Sequence, residues 1–232
     1  MSTTTTPPAQ IDARAAIPEM WRTANPSIRS DASLVNADVH NPAHPSEVVG
    51  RYARCGDAEV ARAVTAAKDA FPAWRDLGAN HRATLMISAA KAADELVDHI
   101  APLLTLEIGK TLGESRGDAG GAGRLLREYA AYAHGAEREQ NQAGAPGDGG
   151  AAEVLVRRVP LGPVAVISPW NTPIHLAFTA IAPALIAGNT VVVKPPEVAP
   201  LGLTALVTAL AEVLPDGVLA VVPGTAPRRD RP

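Results

Sequence analysis

The residue types that could bind or transform a ligand gather after position 160. Lys194 follows three valines and precedes Pro195-Pro196-Glu197. An ammonium and a carboxylate at the end of a buried strand stand where a polar ligand group could meet them. The same residues also fit a solvated strand end entering a Pro-Pro turn. Asn171, two residues before Pro173, suits a helix cap, because the first amides of a helix need an acceptor. Trp170 fits either core packing or the wall of a site, and His175 reads as a packed or capping histidine. Cys55 is the only cysteine, which excludes an internal disulfide and a Cys-based zinc site. Its setting, RYARCGDAEV, does not resemble the surroundings of a nucleophile, so it reads as structural or incidental. The six histidines show no metal-ligand spacing. Gly109-Lys110-Thr111 ends like a phosphate loop, but Leu104 stands where the first glycine belongs. Gly121-x-Gly123 fails as a dinucleotide fingerprint because the third glycine position is Leu126.

The elements that must position these residues can be read from periodicity. Three apolar runs start at 164, 191 and 218, a constant interval of 27 residues. Runs that are apolar at every position suit strands buried on both faces of a parallel sheet. The intervening segments, Pro173 to Ala187 and Leu201 to Leu214, are long enough for crossover helices. Gly188 and Pro215-Asp216-Gly217 would close them. The result is a right-handed β-α-β-α-β unit whose ligand edge comprises Ser168 to Asn171, Lys194 to Glu197 and Pro223-Gly224.

Upstream the pattern is helical. Asp57 can cap a first helix whose stripe is Val60, Val64, Ala67 and Phe71. A second helix starts near Asn80, with Leu85, Ala89, Ala92 and Leu96 on one face, and runs towards His99. A third spans 101–108 and stops at Gly109. A fourth spans 114–136, loosened by Gly120, Gly121 and Gly123. Asn41-Pro42 begins a turn and Val48-Val49 suits a short strand. GAPGDGG at 144–150 is a turn, with 152–159 and 139–142 as the arms of a hairpin.

Composition bounds the reading further. The chain has 232 residues, of which 47% are hydrophobic and 19% charged, so a folded protein is expected. A net charge of −3 argues against a nucleic-acid partner, which requires a basic face. No apolar run approaches the ~18 residues of a membrane span. The opening MSTTTTPPAQ lacks the features of a secretory signal, and a cytoplasmic setting is expected.

The stretch from Leu161 to Pro200 closely resembles the aldehyde dehydrogenase superfamily. It contains Pro169-Trp170-Asn171, then Ala184-Leu185-Ile186-Ala187-Gly188-Asn189, then Lys194-Pro195-Pro196-Glu197-Val198-Ala199-Pro200, in the order and spacing of that family. The likeness extends upstream through Trp74, Arg82 and Glu107-x-Gly109-Lys110, and downstream to Val222-Pro223-Gly224. It implies an α/β fold in which N-terminal helices precede an incomplete Rossmann-like cofactor-binding sheet. It implies NAD(P)-dependent oxidation of an aldehyde through a cysteine thiohemiacetal. Asn171 then matches the amide that steadies the oxyanion. Lys194 and Glu197 match the pair that binds the adenosine ribose of NAD. Ile167, Ser168 and Trp170 match positions lining the nicotinamide-ribose and substrate region. Pro196 offers no hydroxyl to a 2′-phosphate and Glu197 would repel one, which favours NAD, with NADP as the alternative.

Family members are longer, and their nucleophilic cysteine and glutamate base lie in a second half that has no counterpart here. The expectation is therefore a truncated or frameshifted product, inactive alone. A non-catalytic nucleotide-binding or subunit-interacting remnant is the alternative. The expected organisation is a loose tail at 1–35, a helical part at 36–136, an oligomerisation hairpin at 137–160, the cofactor unit at 161–224 and an aberrant tail at 225–232. The implied partners are an aldehyde substrate and a second copy or missing half, with no nucleic acid and no membrane. An isolated sheet of this kind exposes an apolar edge, which predicts poor solubility or reliance on oligomers. The opening from Asn41 to Gly50 resembles relatives that oxidise glutamate semialdehyde.

Overall fold

The structure is a computed structural model, and it describes residues 36–136, 140–143 and 153–225. A hairpin of β1 (Asn36–Asn41) and β2 (His44–Ala53) opens the fold. Four long helices follow: α1 (Asp57–Asp76), α2 (Ala79–Glu95), α3 (Val97–Ile108) and α4 (Leu112–Ala130). A single turn, α5 (Ala133–Ala136), leads to a second hairpin of β3 (Gln140–Ala143) and β4 (Glu153–Val156). The chain then alternates through β5 (Val164–Ile167), α6 (Pro173–Ile186), β6 (Val191–Lys194), α7 (Leu201–Ala211) and β7 (Leu219–Val221).

The three valine-rich runs form the parallel sheet expected of them, in the order β5-β6-β7. The pleat sends alternate residues to opposite faces. Val166, Val191, Val193, Leu219 and Val221 join one large core with α6 and α7. Val192, Ala220 and Val222 pack on the other face against Ala63 and Ala67 of α1. Each fully buried valine or leucine contributes about 1.5–3 kcal/mol, so these short strands are held by packing more than by their ladders.

Helix α6 is fastened at its C-terminal end. Trp74 Nε1 donates to the Leu185 carbonyl at 3.1 Å, and Arg82 Nε donates to the Ile186 carbonyl at 3.1 Å. The buried guanidinium thus satisfies a carbonyl at the helix end, and the buried indole adds a second donor to the Leu185 carbonyl, which also accepts Gly188 N at 3.0 Å. Gly188 turns the chain out of the helix at φ 93, a region that disfavours a side chain. Asn189 Oδ1 then accepts from Leu161 N at 2.7 Å and Gly162 N at 3.1 Å, fixing the approach to β5.

Several local expectations are corrected. Gly56, not Asp57, caps α1, and Glu59 reaches back to accept the Gly56 amide at 2.7 Å. The buried face of α1 is Glu59, Ala63, Ala67 and Trp74, whereas Val60 is 41% exposed. Small alanines let α1 lie close to the sheet, so of the expected stripe Ala67 is buried, Val64 and Phe71 are half-buried and Val60 turns outward. Helix α2 ends at Glu95, and Leu96 caps both it and α3, which begins four residues before the expected start. The buried positions of α2 are Ala79, Arg82, Met86, Ala89, Ala90 and Ala93, with Leu85, Ala92 and Leu96 only partly covered. Helix α4 stops at Ala130 instead of running to 136. Its glycines permit close approach: a Cβ at Gly121 would lie 2.9 Å from His175 Nδ1, and one at Gly123 would meet the Asp94 carboxylate.

The Asn41-Pro42 turn closes the β1–β2 hairpin, and Asn41 Oδ1 accepts the Ala43 amide at 2.9 Å. Val48-Val49 belong to a ten-residue strand. The second hairpin pairs Gln140 with Val156 as antiparallel arms. The segments 1–35, 137–139, 144–152 and 226–232 lie outside the described residues. Among the described residues no helix is long and apolar enough to cross a membrane.

Candidate functional site

The carboxyl edge of the parallel sheet brings three of the six candidate residues together. Ile167 and Lys194 are register partners on β5 and β6. Ser168 extends the ladder one step by donating its amide to the Lys194 carbonyl at 3.1 Å. The pleat puts Ile167 and Lys194 on the same face as Ala165 and Val192. Helix α1 covers Val192 and Ala220 on that face but leaves β5 open, so Ile167 is 76% exposed. The result is an apolar shelf with a half-buried ammonium beside it. Glu197 follows, exposed, after the buried pair Pro195-Pro196.

The other two candidates ride the loop from β5 into α6. Ser168 Oγ donates to the Pro173 carbonyl at 2.7 Å and pins this loop across its base. Trp170 is 57% exposed, which removes its reading as core. Thr172 occupies the cap position of α6, so Asn171 is not the cap. Its side chain is exposed and makes no hydrogen bond to another described residue, while its carbonyl accepts from Lys110 Nζ at 3.5 Å. Asn171 lies on the loop that leaves β5, and Lys194 ends the neighbouring strand β6, with Glu197 three residues further on.

A set of residues beneath this loop was not identified as a unit from sequence. Lys110 Nζ and Asp118 Oδ2 form an ion pair at 2.6 Å, with Asp118 fully buried. The other carboxylate oxygen of Asp118 accepts the His175 amide at 2.7 Å. That amide belongs to the first turn of α6, where a helix has spare donors and favours negative charge. Asp118 therefore joins α4, the segment before it and the start of α6. Lys110, Glu114, Asp118, Arg124, Asn171 and His175 line an open cleft of about 440 Å³. Glu107-x-Gly109-Lys110 could be noticed in the sequence only as a familiar string. The pairing of Lys110 with Asp118 crosses a helix start, and no helical periodicity announces it.

Two titratable groups are strongly perturbed. Burial pushes the Glu107 carboxyl up to about 7, against the opposing effect of the amides of Gly202 and Leu201. Glu107 accepts Leu201 N at 2.8 Å and Gly202 N at 2.9 Å, so it caps α7 from a distant helix. Burial, with Glu59 nearby, pushes the Cys55 thiol up to about 12. A thiol held in its protonated form is a poor nucleophile, which agrees with its structural reading.

Comparison with known proteins bears on this geometry. The profile described as Aldehyde dehydrogenase family matches residues 28–229. The alpha-ketoglutaric semialdehyde dehydrogenase of Bacillus subtilis is 36% identical over 187 residues, covering 80% of this chain and 38% of that protein. The NADP(+) succinate-semialdehyde dehydrogenase GabD of Escherichia coli is 35% identical over 192 residues, covering 82% and 38%. The chain therefore spans about 38% of the length of these curated relatives. Among solved structures, an E. coli NADP dependent enzyme superposes with a TM-score of 0.76 at 34% identity, covering 83% of this chain and 39% of that one. PnpE in complex with nicotinamide adenine dinucleotide gives a TM-score of 0.73 at 36% identity, covering 82% and 38%.

Proposed function

The chain belongs to the aldehyde dehydrogenase family, and from that premise we propose that it forms the cofactor-binding part of an NAD(P)-dependent enzyme that oxidises a semialdehyde to a carboxylic acid. The relatives named above act on aldehydes that also carry a carboxylate, which supports that substrate class. The observation that carries the reading is the unengaged Asn171 side chain, exposed at the end of β5 while its backbone is held by Lys110.

The residues fit a dinucleotide in their chemistry. An ammonium and a carboxylate, Lys194 and Glu197, stand at the carboxyl edge of a parallel sheet and suit the vicinal hydroxyls of a ribose. Bound there, NAD(P)+ supplies the acceptor for the hydride that leaves the aldehyde carbon. Ile167 and Trp170 offer exposed apolar surface along this edge. Asn171 donates its amide to the carbonyl oxygen as negative charge gathers there. One fixed donor of this kind lowers the barrier by about 3–4 kcal/mol. Ser168, Lys110 and Asp118 hold the backbone of the loop that carries this amide. Residues 161–224 are the cofactor-binding unit in this reading, and the β3–β4 hairpin provides a contact to a second copy.

A second reading, a nucleotide-binding chain without turnover of its own, is favoured by Cys55. It is the sole cysteine, and its thiol is pushed up to about 12. Calorimetric titration of the purified chain with NAD+ tests the main reading. Binding that weakens roughly tenfold or more in Lys194→Met or Glu197→Gln is expected. No binding, or binding indifferent to both changes, overturns it. An aldehyde-oxidation assay separates the two readings: turnover by this polypeptide alone would remove the second.

A further inference from the structure

We propose that Arg124, with His175 beside it, is the specificity-determining anchor for the distal carboxylate of the semialdehyde. This rests on the substrate class given above and assigns a residue to it.

The cleft that holds Asn171 contains two cations and two carboxylates. Both carboxylates are occupied. Asp118 is bound to Lys110 at 2.6 Å and to the His175 amide at 2.7 Å. Glu114 turns back on its own helix start, accepting Thr111 N at 3.1 Å and Thr111 Oγ1 at 2.9 Å. These bonds hold its carboxyl below the usual carboxylate range. Of the two cations, Lys110 is already neutralised by Asp118. Arg124 has no carboxylate partner among the described residues; its hydrogen bond among them runs from Nη2 to His175 Nδ1 at 3.5 Å. Arginine can only donate, so the ring nitrogen accepts.

A guanidinium with no counter-ion among the described residues, in the same cleft as the amide assigned to the reacting carbonyl, is suited to one ligand feature. It offers parallel N–H donors that match a carboxylate in a bidentate fork. Gly121 belongs to the same device. It lies between Gly117 and Arg124 on α4, and the His175 ring rests where its side chain would be, 2.9 Å from a Cβ. The missing methyl lets His175 sit low enough to reach Arg124. An aldehyde with a carboxylate at its far end can place its carbonyl at Asn171 and its charge at Arg124. An uncharged aldehyde of equal length gains nothing from the second point.

The test uses the whole chain and two probes of equal length, 5-oxopentanoate and pentanal. Nitrogen-resolved spectra read the Arg124 Nε–H and the His175 backbone amide during titration. The expected result is that 5-oxopentanoate shifts both signals and pentanal leaves Arg124 Nε–H unmoved. Arg124→Gln should weaken 5-oxopentanoate roughly tenfold or more, with Arg124→Lys between the two. Arg124 is exposed, so these variants should fold. No binding of 5-oxopentanoate, equal response to pentanal, or an affinity within twofold in Arg124→Gln would overturn the proposal. NAD+ is titrated into the same samples. If NAD+ binds through Lys194 and Glu197 while the semialdehyde ignores Arg124, only this inference fails. If NAD+ does not bind, the parent reading fails instead.

Discussion

Asp118 accepts the backbone amide of His175 at 2.7 Å while its second oxygen holds Lys110 at 2.6 Å. One buried carboxylate thus fixes where α6 begins and, through Lys110, where the Asn171 carbonyl sits. Asp118→Asn keeps the shape and an acceptor for His175 but leaves a largely buried ammonium without its counter-charge. Breaking such a pair costs about 3–5 kcal/mol, discounted because Lys110 keeps some water contact. A loss of about 2–4 kcal/mol in urea unfolding is expected. An unchanged midpoint would show that the pair contributes nothing net.

Glu107 gives the fold a pH dependence whose sign can be worked out. Its carboxyl lies at about 7 in the folded protein, raised from 4.5. Between these values the native state retains a proton that the unfolded chain has released. Raising the pH through that window therefore erodes stability, by up to about 3 kcal/mol, and the loss is complete above about 7. Glu107→Gln removes this dependence. The stability difference between the variant and the parent should grow in favour of the variant from pH 5 to 7 and then stay constant. Urea melts at four pH values check it, and parallel curves would refute it.

Gly121→Ala places a methyl group 2.9 Å from His175 Nδ1. Alanine gains roughly 0.5–1 kcal/mol in helix propensity, and the forced shift of the ring costs about 1–3 kcal/mol. A small net destabilisation is expected, together with a displaced His175 ring signal. The structural marker is the ring signal, because the melting temperature alone sums two opposed effects.

Cys55 should resist alkylation. With its thiol near 12, the thiolate fraction at pH 8 is on the order of one in ten thousand, against roughly a quarter for an unperturbed cysteine. Iodoacetamide should modify the folded chain about a thousandfold more slowly than a model thiol at that pH. Mass spectrometry over time reads the rate directly. Fast modification would place Cys55 in a more open setting.

The coenzyme preference has its own test. Pro196 lacks an N–H and a hydroxyl, and Glu197 carries a negative charge. NAD+ should bind roughly tenfold more tightly than NADP+, and Glu197→Ser should narrow the gap. Equal affinities in the parent chain would dismiss the argument.

The parallel sheet was legible because Val191, Val192 and Val193 are buried on both faces and so need no alternation to be recognised. The helix stops at Gly109 and Gly188 were legible because both residues take a positive φ there. The outward turn of Val60 was not, since nothing in a periodic pattern says that the alanine side of α1 must lie closest to the sheet. Gly121 and Gly123 read as weak points when they are contact points, because a glycine's neighbour across a helix interface is invisible along the chain. The Lys110–Asp118–His175 arrangement was out of reach for the same reason: it joins three segments whose separations in sequence follow no period.

Helix α6 is gripped at both extremities, by Asp118 at its first turn and by Trp74 and Arg82 at its last. Such a rod cannot tilt or slide without breaking bonds at one end or the other. Any breathing that admits or releases a small molecule must then come from whatever lies opposite Asn171, with this side acting as the fixed jaw. Slow deuterium uptake along 174–186 would be the signature of that stillness.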